Sequence, residues 1–231
     1  MNYQKVAALV MVLVIASSIA LFLKPYFPRG RETTYSGEKI LLPEPRLKGD
    51  MSVEEAIAKR KSIRTYKNQP ISIEELAQLL WACQGITHED KRAAPSAGAT
   101  YPFEIFVVVG NVEDLRPGIY HYDPFEHSLT MIKEGDFRKD LQKAALNQKW
   151  VGDAAVDIVL VAFYERTTKI YGERGIRYVH MEAGHIGQNI YLQATALGLG
   201  TVAVGAFYDD EVANIIGTEG APLYIFPVGR V

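Results

Sequence analysis

The chain has 231 residues, with 25 Lys plus Arg against 27 Asp plus Glu, 48% apolar residues and one cysteine. That length fits one domain with an appendage and can bury a substantial core, and a charged fraction of 23% excludes wholesale disorder. Cys83 alone excludes an intrachain disulfide framework, and a net charge of −2 argues against a nucleic-acid partner, which would call for a strong basic excess.

Val6 to Leu23 is a run of 18 residues without a charge, bounded by Lys5 and Lys24. At about 1.5 Å per helical residue it reaches roughly 27 Å, near the hydrocarbon thickness of a bilayer. A buried soluble helix would carry a polar stripe, and this run has only Ser17 and Ser18. The expectation for residues 1–24 is one N-terminal transmembrane helix that anchors the chain in a membrane, with a cleaved signal peptide as the alternative. Lys24, Arg29 and Arg31 on one side against Lys5 on the other tilt the following domain slightly towards the cytoplasm. Residues 25–39, broken by Pro25, Pro28, Gly30 and Gly37, form a linker, and a single domain is expected over 40–231.

Ser52-Val53-Glu54-Glu55 has the form of a capping box and opens a helix that should turn Val53, Ala56 and Ile57 inward and end near Arg60. A second box, Ser72-Ile73-Glu74-Glu75, opens a helix carrying Leu76, Leu79, Leu80 and Cys83, with Gly85 placed to stop it. Phe103 to Gly110 reads as a strand, and Gly118–Asp123 with Ser128–Lys133 as a hairpin around Pro124-Phe125-Glu126-His127. Helical spacing over Phe137–Asn147 is followed by a buried strand over Val156–Tyr164 and by the longest helix, Tyr178 to Leu197. Asp209 should cap a short helix ended by Gly217, and Leu223–Val228 is a last apolar strand. The mixture is α+β, a central sheet with packed helices. Small residues on the long helix, among them Ala183, Gly184 and Gly187, suit a crowded core or a partner subunit. Gly187→Leu is expected to weaken dimerisation and ligand retention together if the second holds.

Three segments could carry chemistry. Lys59-Arg60-Lys61-Ser62-Ile63-Arg64 sets four cations and a hydroxyl at a helix end, suited to a phosphate, although cations there also suit the helix dipole. Pro95-Ser96-Ala97-Gly98-Ala99 is a loop of small residues ahead of a strand, open to close approach by a flat or anionic group. Gly198, Gly200 and Gly205 superficially suggest a dinucleotide turn, but here a helix precedes and a strand follows, the reverse of what a Rossmann phosphate site needs. What remains is a Gly- and Ala-rich strand end with accessible amides. His180-Met181-Glu182 lacks the Pro-Cys-x-x-Cys that would complete a zinc deaminase site, and His180 and His185 do not share a helix face, so no metal is expected.

In order, Arg60-Lys61-Ser62-Ile63-Arg64, Leu79-Leu80-Trp81-Ala82-Cys83-Gln84-Gly85, Pro95-Ser96-Ala97-Gly98-Ala99-Thr100-Tyr101-Pro102, Glu182-Ala183-Gly184-His185 and Gly198 through Phe207 resemble the FMN-dependent nitroreductase superfamily. The likeness covers about 40–231 and is greatest to the azoline-dehydrogenase-like branch. It implies a nitroreductase-like α+β homodimer with a mostly antiparallel sheet and one FMN at each end of the subunit interface. By that resemblance Arg60, Lys61 and Ser62 hold the phosphate with help from Arg230, and Arg64 reaches the pyrimidine edge of the ring. Pro95, Ser96 and Gly98 come from the partner subunit, and Val204, Gly205 and Ala206 line the ring near N5 and O4. The implied reaction is ping-pong: NAD(P)H leaves a hydride on flavin N5, and a small acceptor, nitroaromatic- or quinone-like, then takes it. Lys169 and Tyr171 lie where the azoline dehydrogenase branch carries a Lys and Tyr pair, at a spacing that departs from it. An azoline peptide dehydrogenase using oxygen, or a flavin-binding module without turnover, are the alternatives.

Overall fold

The computed structural model describes residues 35–231, so the helix expected over 1–24 and residues 25–34 lie outside it. Among the described residues no helix is long and apolar enough to cross a membrane.

A seven-stranded sheet organises the domain. Its strands are β1 (Lys39–Leu41), β4 (Phe103–Val109), β5 (Gly118–Asp123), β6 (Ser128–Glu134), β7 (Val156–Ala162), β8 (Leu199–Thr201) and β9 (Ala221–Arg230). Their spatial order is β1-β6-β5-β4-β7-β9-β8, and every neighbouring pair is antiparallel. A short pair, β2 (Ile86–His88) and β3 (Lys91–Arg92), stands apart. The hairpin expected around His127 is β5–β6, in register from Asp123 opposite Ser128.

The central strands are apolar on both faces because both faces are covered. Phe103, Ile105, Val107 and Val109 of β4 pack with α2 (Ile73–Gln84) and α6 (Arg174–Ala196). Phe106 and Val108 pack on the other side with α3 (Arg138–Ala144), α4 (Lys149–Asp153) and α7 (Asp209–Ile216). The chain enters this frame early: the Tyr35 ring lies 4.1 Å from that of His121 and 5.4 Å from that of Phe106, ahead of the start expected near residue 40.

Both capping boxes form, at Ser52 for α1 (Val53–Lys59) and at Ser72 for α2. α1, however, buries only Ala56; Val53 is 65% and Ile57 56% exposed, because a seven-residue helix at the rim of α6 presents one narrow side to the domain. At α7 the cap position belongs to Tyr208 and has no side-chain hydrogen bond. Asp209, Asp210 and Glu211 instead fill its first turn, where negative charge suits the helix dipole. Gly217 ends it in the left-handed conformation, as expected. The small residues of α6 divide by face. A methyl at Gly187 would come within 2.7 Å of the Phe226 ring, so Gly187 faces the core and Gly187→Leu would disrupt packing, not report on a dimer. Gly184 faces outward, and a methyl there would meet nothing within 4 Å.

Candidate functional site

The helix capped by Ser52 stops at Arg60, whose backbone leaves the helical region with φ −55° and ψ 125° and launches the cationic loop. That loop runs along the edge of the sheet. The Ile63 N–H donates to the Thr201 carbonyl at 2.9 Å, the Lys67 N–H to the Arg230 carbonyl at 2.9 Å, and the Tyr66 hydroxyl to the carbonyls of Ile63 and Pro227 at 2.9 and 3.1 Å. Lys61, Ser62 and Arg64 are left exposed to solvent, and Arg60 is half-buried.

The segment after β8 supplies the other half of the wall. Val202 and Val204 turn into the core, and Val204 exchanges both main-chain hydrogen bonds with Ile225 at 2.9 Å. The chain then leads outward, so Gly205 and Ala206 are exposed. Their N–H groups have no acceptor among the described residues, and the Gln148 side chain fixes the Ala206 carbonyl at 2.8 Å. Tyr191 of α6 stands between loop and segment: its hydroxyl accepts from the Ala203 N–H at 2.8 Å and lies 2.8 Å from the Ser62 hydroxyl, and the Arg60 guanidinium sits 5.1 Å over its ring. Arg64 lies 5.5 Å over the Trp150 ring. Arg60, Lys61, Ser62, Arg64, Val204, Gly205 and Ala206 therefore belong to one region of one protomer. An exposed cationic loop beside unpaired main-chain donors, with no side chain at Gly205, fits a phosphate joined to a flat heterocycle.

Arg230 stands apart from this set. Its guanidinium makes a bidentate pair with Glu75 at 2.7 and 2.8 Å and donates to the Pro70 carbonyl at 3.1 Å, so it braces the start of α2 and does not join Ser62.

Pro95, Ser96 and Gly98 follow Ala93, whose carbonyl accepts from Asn189 at 3.4 Å, and lead towards the N-terminal half of α6, where Ser96 bonds Glu182, nine residues and about 13 Å of helical rise before Tyr191. This loop is held under strain at Ala99 and Tyr101, with φ of 53° and 44°, whereas Gly98 takes its φ of 60° freely. It is fixed by the Tyr101 N–H to the Ser96 hydroxyl at 2.9 Å, Thr100 to Thr167 at 2.8 Å, and Arg166 to the Tyr101 carbonyl at 3.2 Å. Arg166 in turn pairs with Glu104 at 2.6 Å, and Glu104 with His121 at 2.6 Å, all three side chains buried. Burial works against the charged Glu104, but hydrogen bonds and charge from His121 and Arg166 outweigh it and keep the carboxyl below the usual range. Glu182 is the opposite case. Burial pushes it up to about 7 against the pull of Ser96, Gln84 and Arg92.

The paired candidates sit on α5 (Glu165–Tyr171): both are exposed, and Tyr171 lies over Gly98, where a methyl would come within 2.6 Å of its hydroxyl. His180 bonds the Tyr164 hydroxyl at 2.6 Å. Tyr191, Gln148 and Trp150 belong to none of the three segments that the sequence marks for chemistry. The one available signal is a phenol amid the small residues of the long helix, half-buried in the fold, where a tyrosine hydroxyl usually finds a partner.

The model of the nitroreductase family matches residues 57–230, and the chain belongs to that family. A Methanocaldococcus jannaschii protein provisionally named a nitroreductase is 46% identical over 182 residues, covering 78% of this chain and 92% of that one. A crystal structure of a provisionally named nitroreductase from Anabaena variabilis superposes with a TM-score of 0.75 at 32% identity, over 84% of this chain and 42% of that one. The microcin B17-processing protein of Escherichia coli is 28% identical over 149 residues, 61% of this chain and 55% of that one. This chain thus spans about half the length of the last two. The fold is nitroreductase-like α+β with a large antiparallel sheet, and the coarse class, an oxidoreductase of nitroreductase type, follows from family membership.

Proposed function

We propose that the chain is an FMN-dependent oxidoreductase that draws on a reduced nicotinamide and serves a small electron acceptor, nitroaromatic- or quinone-like. The observation that supports this most is the single wall formed by the cationic loop and the Ala203–Ala206 segment, tied by Ile63 to Thr201 and by Tyr191 to both. Bound FMN would supply two-electron exchange at its ring N5. Arg60, Lys61 and Ser62 would hold its phosphate by charge-assisted hydrogen bonds. Arg64, stiffened on Trp150, would hold positive charge at the pyrimidine edge, where reduction concentrates negative charge. The free N–H groups of Gly205 and Ala206 would orient the ring near N5 and O4, and no side-chain acid or base is obligatory.

A homodimer belongs to the same reading. Met181, Gly184, His185 and Gln188 form one exposed stripe of α6. Two such helices crossing antiparallel near Gly184–Gln188 would bring Pro95, Ser96 and Gly98 of one copy to Tyr191 of the other, completing a site that one protomer leaves open. A membrane location rests on the charge-free run at 6–23, with the domain on the cytoplasmic side.

Purified full-length chain is expected to be yellow and to release FMN on denaturation, and its flavin to bleach anaerobically with NADH or NADPH. A colourless protein that takes up no FMN overturns the reading. A second reading, an azoline peptide dehydrogenase using oxygen, draws on the microcin-processing relative and on Tyr171 over Gly98. It predicts bleaching by an azoline peptide and none by either nicotinamide. Bound FMN that nothing reduces would leave a binding module.

A further inference from the structure

We infer that Tyr191 is a positioning residue that couples the grip on the cofactor phosphate to the main chain that carries the ring; this rests on the FMN reading above. One of its two hydrogen bonds has a fixed direction. The Ala203 N–H donates to the phenol oxygen, and that oxygen lies 2.8 Å from the Ser62 hydroxyl. A hydroxyl carries one proton. Either hydroxyl can supply the proton of the Ser62–Tyr191 pair; in the arrangement inferred here the phenol donates to Ser62 Oγ, which turns the Ser62 proton outward. The chain Ala203 N–H to Tyr191 O–H to Ser62 Oγ therefore ends in a donor aimed at solvent, flanked by Arg60 and Lys61, where a phosphate oxygen would accept it. Each donor in such a chain is strengthened by the next, so a bond formed at Ser62 is felt at Ala203.

The ring has a separate duty. Its face carries the Arg60 guanidinium at 5.1 Å, and its edge meets Phe226, centroids 6.0 Å apart at 89°. Phe226 is the side chain that a methyl at Gly187 would strike, so the ring is seated against a closely packed turn of α6. Hydroxyl and ring can thus be separated by Tyr191→Phe, which keeps the cation–π and edge contacts and removes only the relay.

The experiment compares wild type with Tyr191→Phe in titrations with FMN and with riboflavin, which has the ring and no phosphate. The relay predicts that Tyr191→Phe weakens FMN several-fold, up to about tenfold, as for one neutral hydrogen bond, with riboflavin changed much less. Equal losses for both ligands would reduce Tyr191 to a packing residue and overturn the inference. A readout without cofactor accompanies it: in the apo chain, Ser62→Ala and Tyr191→Phe should each speed hydrogen exchange at the Ala203 amide. Unchanged exchange in both variants overturns the coupling. A wild-type chain that binds no flavin yet shows the exchange effect would sink the FMN reading and leave the relay intact.

Discussion

The two ends of α6 solve different problems with different means. At the Tyr191 end, neutral hydrogen bonds join an exposed cationic loop to main chain on the sheet edge, and the charged groups face solvent. At the Glu182 end, charge is buried: Glu104, His121 and Arg166 support a loop with left-handed residues, and the raised Glu182 carboxyl lies beneath it. A surface that must receive an anion can leave its cations free, whereas a strained loop needs fixed partners to hold its shape. The first end should therefore respond to mutation in ligand affinity and the second in stability.

The largest stability effect should come from the buried brace. Arg166→Met leaves Glu104 buried with one cationic partner gone, and urea unfolding should show a loss of about 3–5 kcal/mol. A loss below about 1 kcal/mol would mean that the brace relaxes into solvent and that the contrast between the ends is overstated.

Next is pH. Glu182 titrates near 7 in the folded chain against 4.5 for an ordinary glutamate, so between those values the folded state binds the extra proton. Stability from this group is present below 4.5 and is lost as pH rises to 7, by roughly 3 kcal/mol. Asp157, wholly buried and with neither oxygen hydrogen-bonded among the described residues, is also raised and acts in the same direction. Glu182→Gln should flatten the pH 4.5–7 slope relative to wild type in thermal unfolding; parallel curves would show the carboxyl to be hydrated.

Gly98→Ala should cost about 1–2 kcal/mol through its left-handed backbone, with a further penalty from Tyr171. A double-mutant cycle with Tyr171→Ala should relieve the second part and leave the first. The smallest effect is expected for Ser72→Ala, about 1 kcal/mol for a lost cap on α2.

What could be read in advance was mostly local. The capping boxes at Ser52 and Ser72, the Gly217 stop and the β5–β6 hairpin depend on a few neighbouring residues, and each formed. The facing of Val53, Ile57 and Gly187 depended on what α1 and α6 pack against, which periodicity in a helix with small residues on all sides does not specify. Arg230 shows the same limit. Its bidentate partner Glu75 is far away in sequence, so a cation that looks free in the chain is already paired in the fold. The cationic loop and the Ala203–Ala206 segment were legible as separate motifs, but the tyrosine that joins them was not.

The most direct test of the account is an FMN titration of apo full-length chain, wild type against Arg60→Ala. One FMN per chain, bound about tenfold to a hundredfold more weakly by the variant, is the predicted result, as for a lost charged hydrogen bond. Equal affinity in the two proteins would place the phosphate elsewhere and contradict the assignment of this wall.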